Sequence, residues 1–330
     1  MKYTEHALNV LTAMSYPKIG KAWIVKNITP GDDMSTIVFK IRQTRENETL
    51  TINDFESKRR NFTEFIHRFK DSCDGCVAWG DEAFPGYRGD VQKPSERPVF
   101  LYYKGNLDLL TIDNPKISVI GLLNPAGDIE NREREIVTEF VKTGATIVSG
   151  LALGCDSIAH SQTLESGGKT IAILPSHLND ILPARNRKLA YDIIEDGGLL
   201  ITEYGRLFAS PRELSRQYID RDRLQALFCD TIVLAASYAS NSAEKHPKLH
   251  GLKLDSGARH AMNKAFEYKI PRAVMYDEDF DISNPMFDLN REIINSSDNP
   301  TIINQDNLIQ SVRKIMTRKI RTIEQTSLKF

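Results

Sequence analysis

The sequence predicts an α/β protein: an extended Rossmann-like, doubly wound, mostly parallel sheet with a small helical N-terminal domain. Three observations point there. From Lys116 to Met275, short runs rich in Ile, Val and Leu alternate with amphipathic stretches of helical length, and that alternation implies right-handed βαβ crossovers and a sheet covered on both faces. Glycine-, serine- and proline-bearing turns follow several of the runs, as expected where strands hand over to helices. Before residue 70 the apolar residues fall instead at helical spacing.

Taken in order, residues 7–15 predict a helix, Pro17 to Gly20 a turn into a second helix, and residues 61–70 a third, giving a helical domain over 1–70. Residues 76–112 hold short apolar bursts broken by Pro85, Gly86, Pro94 and Pro98, with 98–103 as the best strand and Lys104-Gly105-Asn106 as a turn. Strands are then expected at 116–121, 145–150, 169–174, 199–203, 231–236 and 272–275. Helices are expected at 129–142, 156–166, 187–195, 212–228 and 258–267. These elements define a Rossmann-like domain over 71–292. A basic C-terminal tail over 293–330 contains one helix-like run at 308–316.

Composition narrows the function classes. The 330 residues are 41% hydrophobic and 26% charged, with 43 basic and 44 acidic side chains, an ordinary globular balance. The longest apolar runs fall far short of the ~20 residues that span a bilayer, and the first residues carry no leader pattern, so a cytoplasmic location and no membrane contact are expected. Four cysteines fit a reducing compartment. Cys73-x-x-Cys76 is half a zinc or redox motif without a second pair, so no metal is expected. Residues 1–115 carry net charge 0, 116–292 net −4 and 293–330 net +3. A uniformly basic nucleic-acid coat is therefore excluded, while a narrow basic strip is not.

Ligands of doubly wound sheets bind beyond the carboxyl ends of the strands, and the loops there are unusual. The segment Ser149-Gly-Leu-Ala-Leu-Gly-Cys-Asp-Ser-Ile-Ala-His160 puts two glycines, Gly150 and Gly154, and a hydroxyl at a strand-to-helix turn. Such a turn suits either a phosphate on backbone amides or a tight structural turn in which Asp156 and Ser157 act as caps. His160 lies four residues after Asp156, on the same helix face, and by residue chemistry alone reads first as a structural histidine. Leu182-Pro-Ala-Arg-Asn-Arg-Lys-Leu189 brings Arg185 and Asn186 to a helix entry, and arginines there can hold phosphates bidentately. Arg221 and Arg223 precede the strand at Thr231. Ser256 and Gly257 open a helix beside Arg259 and His260. Each signal is weak alone; together, at one rim of a parallel sheet, they suggest a path for a polyanion. His246 and His250 sit in a polar insertion whose Pro247 favours a loop over a shared helix face. No Walker loop, Gly-x-Ser-x-Gly elbow or His-Glu-x-x-His is present.

In this order the segments resemble the DNA-processing protein A family (DprA, also called Smf). The resemblance runs from about Ala83 to Met275, through Phe84-Pro85, Pro98-Val-Phe-Leu-Tyr-Tyr-Lys-Gly-Asn106, the Ser149–His160 segment, Leu164-Glu-Ser-Gly-Gly-Lys-Thr-Ile-Ala-Ile-Leu174, the Leu182–Leu189 segment, Gly198-Leu-Leu-Ile-Thr-Glu203, Arg221-Asp-Arg223 and Ser256-Gly257. It implies a non-catalytic, homodimeric protein that binds single-stranded DNA and loads a RecA-type recombinase during natural transformation, with no cofactor. The candidate DNA- or phosphate-binding set is Gly121, Ser149, Gly150, Gly154, Asp156, His160, Arg185, Asn186, Arg221, Arg223, Ser256, Gly257 and Arg259. The chain departs from the family where Gly-Ser-Arg usually follows the first strand, reading Gly121-Leu122-Leu123, and it ends without room for the winged helix that many members carry. A nucleotide sensor or nucleoside-monophosphate hydrolase of the related Rossmann-like group, in a defence system for example, is the alternative. There Asp156, His160 and Glu203 would supply acid and base. A partner-binding scaffold with a vestigial groove is the third reading.

Overall fold

The computed structural model describes residues 1–69, 71–254 and 257–317, and the backbone of 322–323. Four helices come first: α1 (Glu5–Met14), α2 (Lys21–Asn27), α3 (Met34–Arg42) and α4 (Ile52–His67). Their starts follow from short polar caps. The Thr4 hydroxyl accepts from the Ala7 amide, Asp33 accepts from Thr36, and Thr51 forms a reciprocal capping box with Asp54. The α4 cap moves that helix's start to residue 52, nine residues ahead of the expected 61.

Three strands lead in: β1 (Gly75–Ala78), β2 (Tyr87–Arg88) and β3 (Phe100–Gly105). The alternation then proceeds as β4 (Lys116–Ile120), α5 (Gly127–Lys142), β5 (Thr146–Ser149), α6 (Cys155–Glu165), β6 (Thr170–Ile173), α7 (Arg187–Glu195), β7 (Leu199–Thr202), α8 (Pro211–Leu227) and β8 (Thr231–Leu234). After it come α9 (Ser242–Lys245), α10 (Gly257–Glu267), β9 (Arg272–Met275), α11 (Glu278–Asp281), α12 (Asp288–Ile294), β10 (Thr301–Ile303) and α13 (Leu308–Met316). Nine strands form one sheet in the order β1-β3-β7-β6-β5-β4-β8-β9-β10. All pairings from β7 to β10 are parallel, whereas β3 runs antiparallel to both β1 and β7. β2 pairs with Thr322–Ile323 in a separate two-stranded ladder.

The central strands are buried along their whole length, which is why they read as continuous apolar runs. The chain winds outward from β4 through β5, β6 and β7, then returns to place β8 on the other side of β4. The reversal between β4 and β8 is the switch point at which such sheets open a ligand crevice.

Two further findings differ from the sequence expectations. The N-terminal helices do not close a core by themselves. Leu8, Ile24, Ile37, Ile41 and Phe55 share one apolar cluster with Tyr102, Ala172, Leu174 and Leu200 of the sheet and with Ala190 and Ile193 of α7. Residues from 293, expected as a tail, supply β10, which extends the sheet beside β9, and α13, which packs on α5. Buried Ile303, Val312 and Ile315 anchor them. Among the described residues no helix is long and apolar enough to cross a membrane.

Candidate functional site

A cavity of about 550 Å³ opens at the switch point, within the size range of small-molecule and nucleotide sites. Its floor is the end of β4 at Ile120 and Gly121. The β5–α6 loop (Ala152, Leu153, Asp156) forms one wall, α8 (Tyr218, Ile219, Arg221, Asp222, Gln225) another, and the start of α10 (Gly257, Ala258, His260) a third, with Pro183, Ser215, Lys253 and Leu123 at its borders.

The β5–α6 loop is organised from within. Asp156 is 7% exposed, and its Oδ2 accepts from the amides of Gly150 at 3.1 Å and Ala152 at 3.2 Å. The carboxylate thus occupies the loop amides that a phosphate would need. Asn186 clamps the same loop from the far side, its amide donating to the carbonyls of Leu151 at 2.8 Å and Ala152 at 3.0 Å. Ser149 donates its hydroxyl to the Val119 carbonyl at 2.7 Å and is fully buried. Gly154 has φ +72°, and a side chain there would strike the Leu122 carbonyl, so only glycine starts α6 without strain. At Gly150 an added Cβ would sit 1.4 Å from Arg221 Nη1, so this glycine makes room for a guanidinium.

His160 is fully buried, and its Nδ1 lies 2.7 Å from Thr170 Oγ1. Because Thr170 spends its own proton on the Ile147 carbonyl, Nδ1 is the donor and Nε2 stays bare, with no partner among the described residues. Burial, reinforced by nearby Arg221, pushes the imidazole down to about 3, so it is neutral at physiological pH.

The two arginines before β8 serve different ends. Arg221 is 4% exposed. Its guanidinium donates to the Ile173 carbonyl at 3.1 Å, lies 3.8 Å from Asp156 and 3.3 Å from Asp222, and borders the cavity. Arg223 turns the other way, pairing with both oxygens of Glu203 at 2.7 Å and donating to the carbonyls of Glu96 and Asp220. Lys21 of α2 completes the cluster at 2.8 Å from Glu203. Burial alone would raise the Glu203 carboxyl, but Arg223 and Lys21 overcome it and hold the group at about 2. Neither His160 nor Glu203 lines the cavity, so the acid–base set weighed with Asp156 is not assembled there.

The remaining candidates lie on or next to the segments that line the cavity. Arg185 is exposed and Arg259 half-buried. Neither they nor Lys253 makes an ion pair with another described residue. Gly121 and Gly257 line the cavity, whereas Ser256 lies outside the described residues. Among the side chains of the site that the sequence does not mark are Tyr218, Asp222, Gln225 and Lys253. Asp222 stood between the two noted arginines, but nothing distinguished Gln225 from a surface glutamine. Elsewhere, Cys73 donates to the carbonyls of Gly75 and Tyr103, and burial pushes its thiol up to about 11. His246 bonds Asp288 and His250 bonds the Glu244 carbonyl, so the two histidines do not converge.

The family model of DNA recombination-mediator protein A matches residues 75–244, a stretch that takes in the β5–α6 loop, both arginines of α8 and the strands around the switch point. The chain belongs to the DNA recombination-mediator protein A family. It is 31% identical over 209 residues to DNA processing protein DprA of Streptococcus pneumoniae, covering 60% of this chain and 72% of that protein. Against protein Smf of Synechocystis the identity is 42% over 126 residues, 38% of this chain and 31% of that one. The crystal structure of the pneumococcal DprA superposes with a TM-score of 0.67 at 22% identity, covering 97% of this chain and all of that chain. A DprA structure from Helicobacter pylori, described for its single-stranded DNA binding mode, covers 71% of this chain and 99% of that one at TM-score 0.51 and 24% identity. Both likenesses show the shared family fold.

Proposed function

We propose that the protein binds single-stranded DNA at the rim of the switch-point cavity and performs no chemistry on it. The observation that carries this reading is the placement of three cations without ion-pair partners among the described residues: Lys253 borders a cavity at the site where this fold takes its ligands, and Arg185 and Arg259 stand in the chain beside its lining residues Pro183, Ala258 and His260. Family membership and the single-stranded DNA named for the Helicobacter pylori relative support it. Arg221 contributes as a buried positive charge in the cavity wall, while Arg223, Ser149, Asn186 and His160 hold the loops in place. In the fuller form of this proposal the protein works in the cytoplasm as a homodimer and passes the strand to a RecA-type recombinase.

Fluorescence anisotropy with labelled oligonucleotides of increasing length tests it. Binding at low salt, weakened at least tenfold by the double substitution Arg185→Ala/Arg259→Ala, is expected from the loss of two phosphate contacts. Absent binding, or binding indifferent to the double substitution, contradicts the assignment.

A further inference from the structure

The polar insertion between β8 and α10, residues 237–254, is folded onto α12. The Leu289 amide donates to the Ser237 carbonyl at 3.1 Å. Ser242 is fully buried, and its hydroxyl donates to Asp288 Oδ2 at 2.5 Å. His246 Nε2 donates to the same oxygen at 2.9 Å, while Arg291 donates to Oδ1. Asp288, buried on α12, thus gathers two side chains of the insertion on one carboxylate oxygen, and hydrogen bonds to an ionised acceptor are the stronger kind. From there the chain turns tightly: His250 donates to the Glu244 carbonyl at 3.1 Å and the Leu252 amide to the Leu249 carbonyl at 3.0 Å. These turns deliver Lys253 to the cavity.

The cavity has little other positive charge to offer. Asp156 takes the loop amides of Gly150 and Ala152, the loop after β4 carries Leu123, and Arg221 faces Asp156 and Asp222. Burial, with Arg259 nearby, lowers His260 towards the neutral imidazole. Lys253 is the exposed lining cation with no ion-pair partner among the described residues. A lysine on a free loop loses backbone and rotamer entropy on meeting a phosphate, and a loop fixed in advance loses less. We propose that the insertion is a positioning arm: Asp288, through Ser242 and His246, holds Lys253 where it meets a phosphate of the bound strand. The proposal rests on the single-stranded DNA reading and adds to it residues that do not line the cavity yet set its affinity.

Oligothymidylate binding by the full chain, measured as affinity at low salt and as the salt slope, tests it. Lys253→Ala should weaken binding about threefold and reduce the slope by ~0.7 in magnitude, the share of one phosphate. His246→Ala, at a side chain 30% exposed and away from the cavity lining, should reproduce most of both effects. His246→Gln, which keeps an N–H for Asp288, should restore them. In the Lys253→Ala background His246→Ala should add nothing, because the two residues act as one unit. His246→Ala that binds as the wild type does, or that weakens binding equally in the Lys253→Ala background, overturns the arm and leaves single-stranded DNA binding standing. A Lys253→Ala slope equal to that of the wild type removes the phosphate contact and the arm with it, again leaving the reading beneath. Failure of the wild-type protein to bind at all overturns both.

Discussion

Glu203 carries more of this architecture than any residue singled out for DNA contact. It joins Lys21 of α2 to Arg223 of α8 inside the protein, tying the N-terminal helices to the sheet. Replacing it with glutamine leaves Arg223 buried without a counter-charge, which should cost about 3–5 kcal/mol in chemical denaturation. Because its carboxyl is held at about 2, below the ordinary ~4.3 of a glutamate, its contribution is complete above pH ~4.3 and lost as pH falls towards 2. Glu203→Gln should therefore flatten that part of the stability profile. Glu133 is the opposite case. It is 1% exposed on α5, its carboxyl faces the Cys155 thiol and has no other hydrogen-bond partner among the described residues, and burial raises its proton affinity well above the usual range. Here the unfolded chain releases the proton first, so stability should fall as pH rises above ~4.3, by up to about 1.4 kcal/mol per pH unit until the folded group itself ionises. Glu133→Gln should abolish that slope in melts recorded from pH 4 to 8. Both roles escaped the sequence, because a lone glutamate in a helix or at a strand end carries no mark of what it will face.

At the scale of elements, the β4-to-β9 alternation was legible to within a residue or two, since strands buried on both faces must be continuously apolar and the helices between them amphipathic. The start of α4 was not. Its capping box at Thr51 and Asp54 lies in a polar stretch with few apolar residues to set a period. The segment from 293 misled for a related reason: three residues at a sheet edge, Thr301–Ile303, are too few to display a strand pattern beside a basic run. In the β5–α6 loop the glycines correctly marked a tight turn, but sequence alone could not decide whether its amides face a ligand or a side chain. Asp156 decides it. Asp156→Ala should cost about 1–3 kcal/mol by leaving the amides of Gly150 and Ala152 without their acceptor, measurable as a lowered melting temperature.

Over the whole molecule, net charge is −1, and the segment from 116 to 292 is net −4. The structure thins the basic strip further than the sequence implied, because Arg223 is consumed inside the fold and Arg221, in the cavity wall, faces Asp156 and Asp222. Lys253 at the cavity, with Arg185 and Arg259 on the segments that line it, remain without an ion-pair partner among the described residues, so electrostatic attraction for a nucleic acid comes from about three contacts. The salt dependence of oligonucleotide binding tests this most directly. With about three phosphates neutralised at ~0.7 each, a plot of log affinity against log salt should have a slope near −2, and Arg185→Ala/Arg259→Ala should bring it below −1 in magnitude. A slope near zero, a slope that the double substitution leaves unchanged, or no binding at low salt would contradict the account.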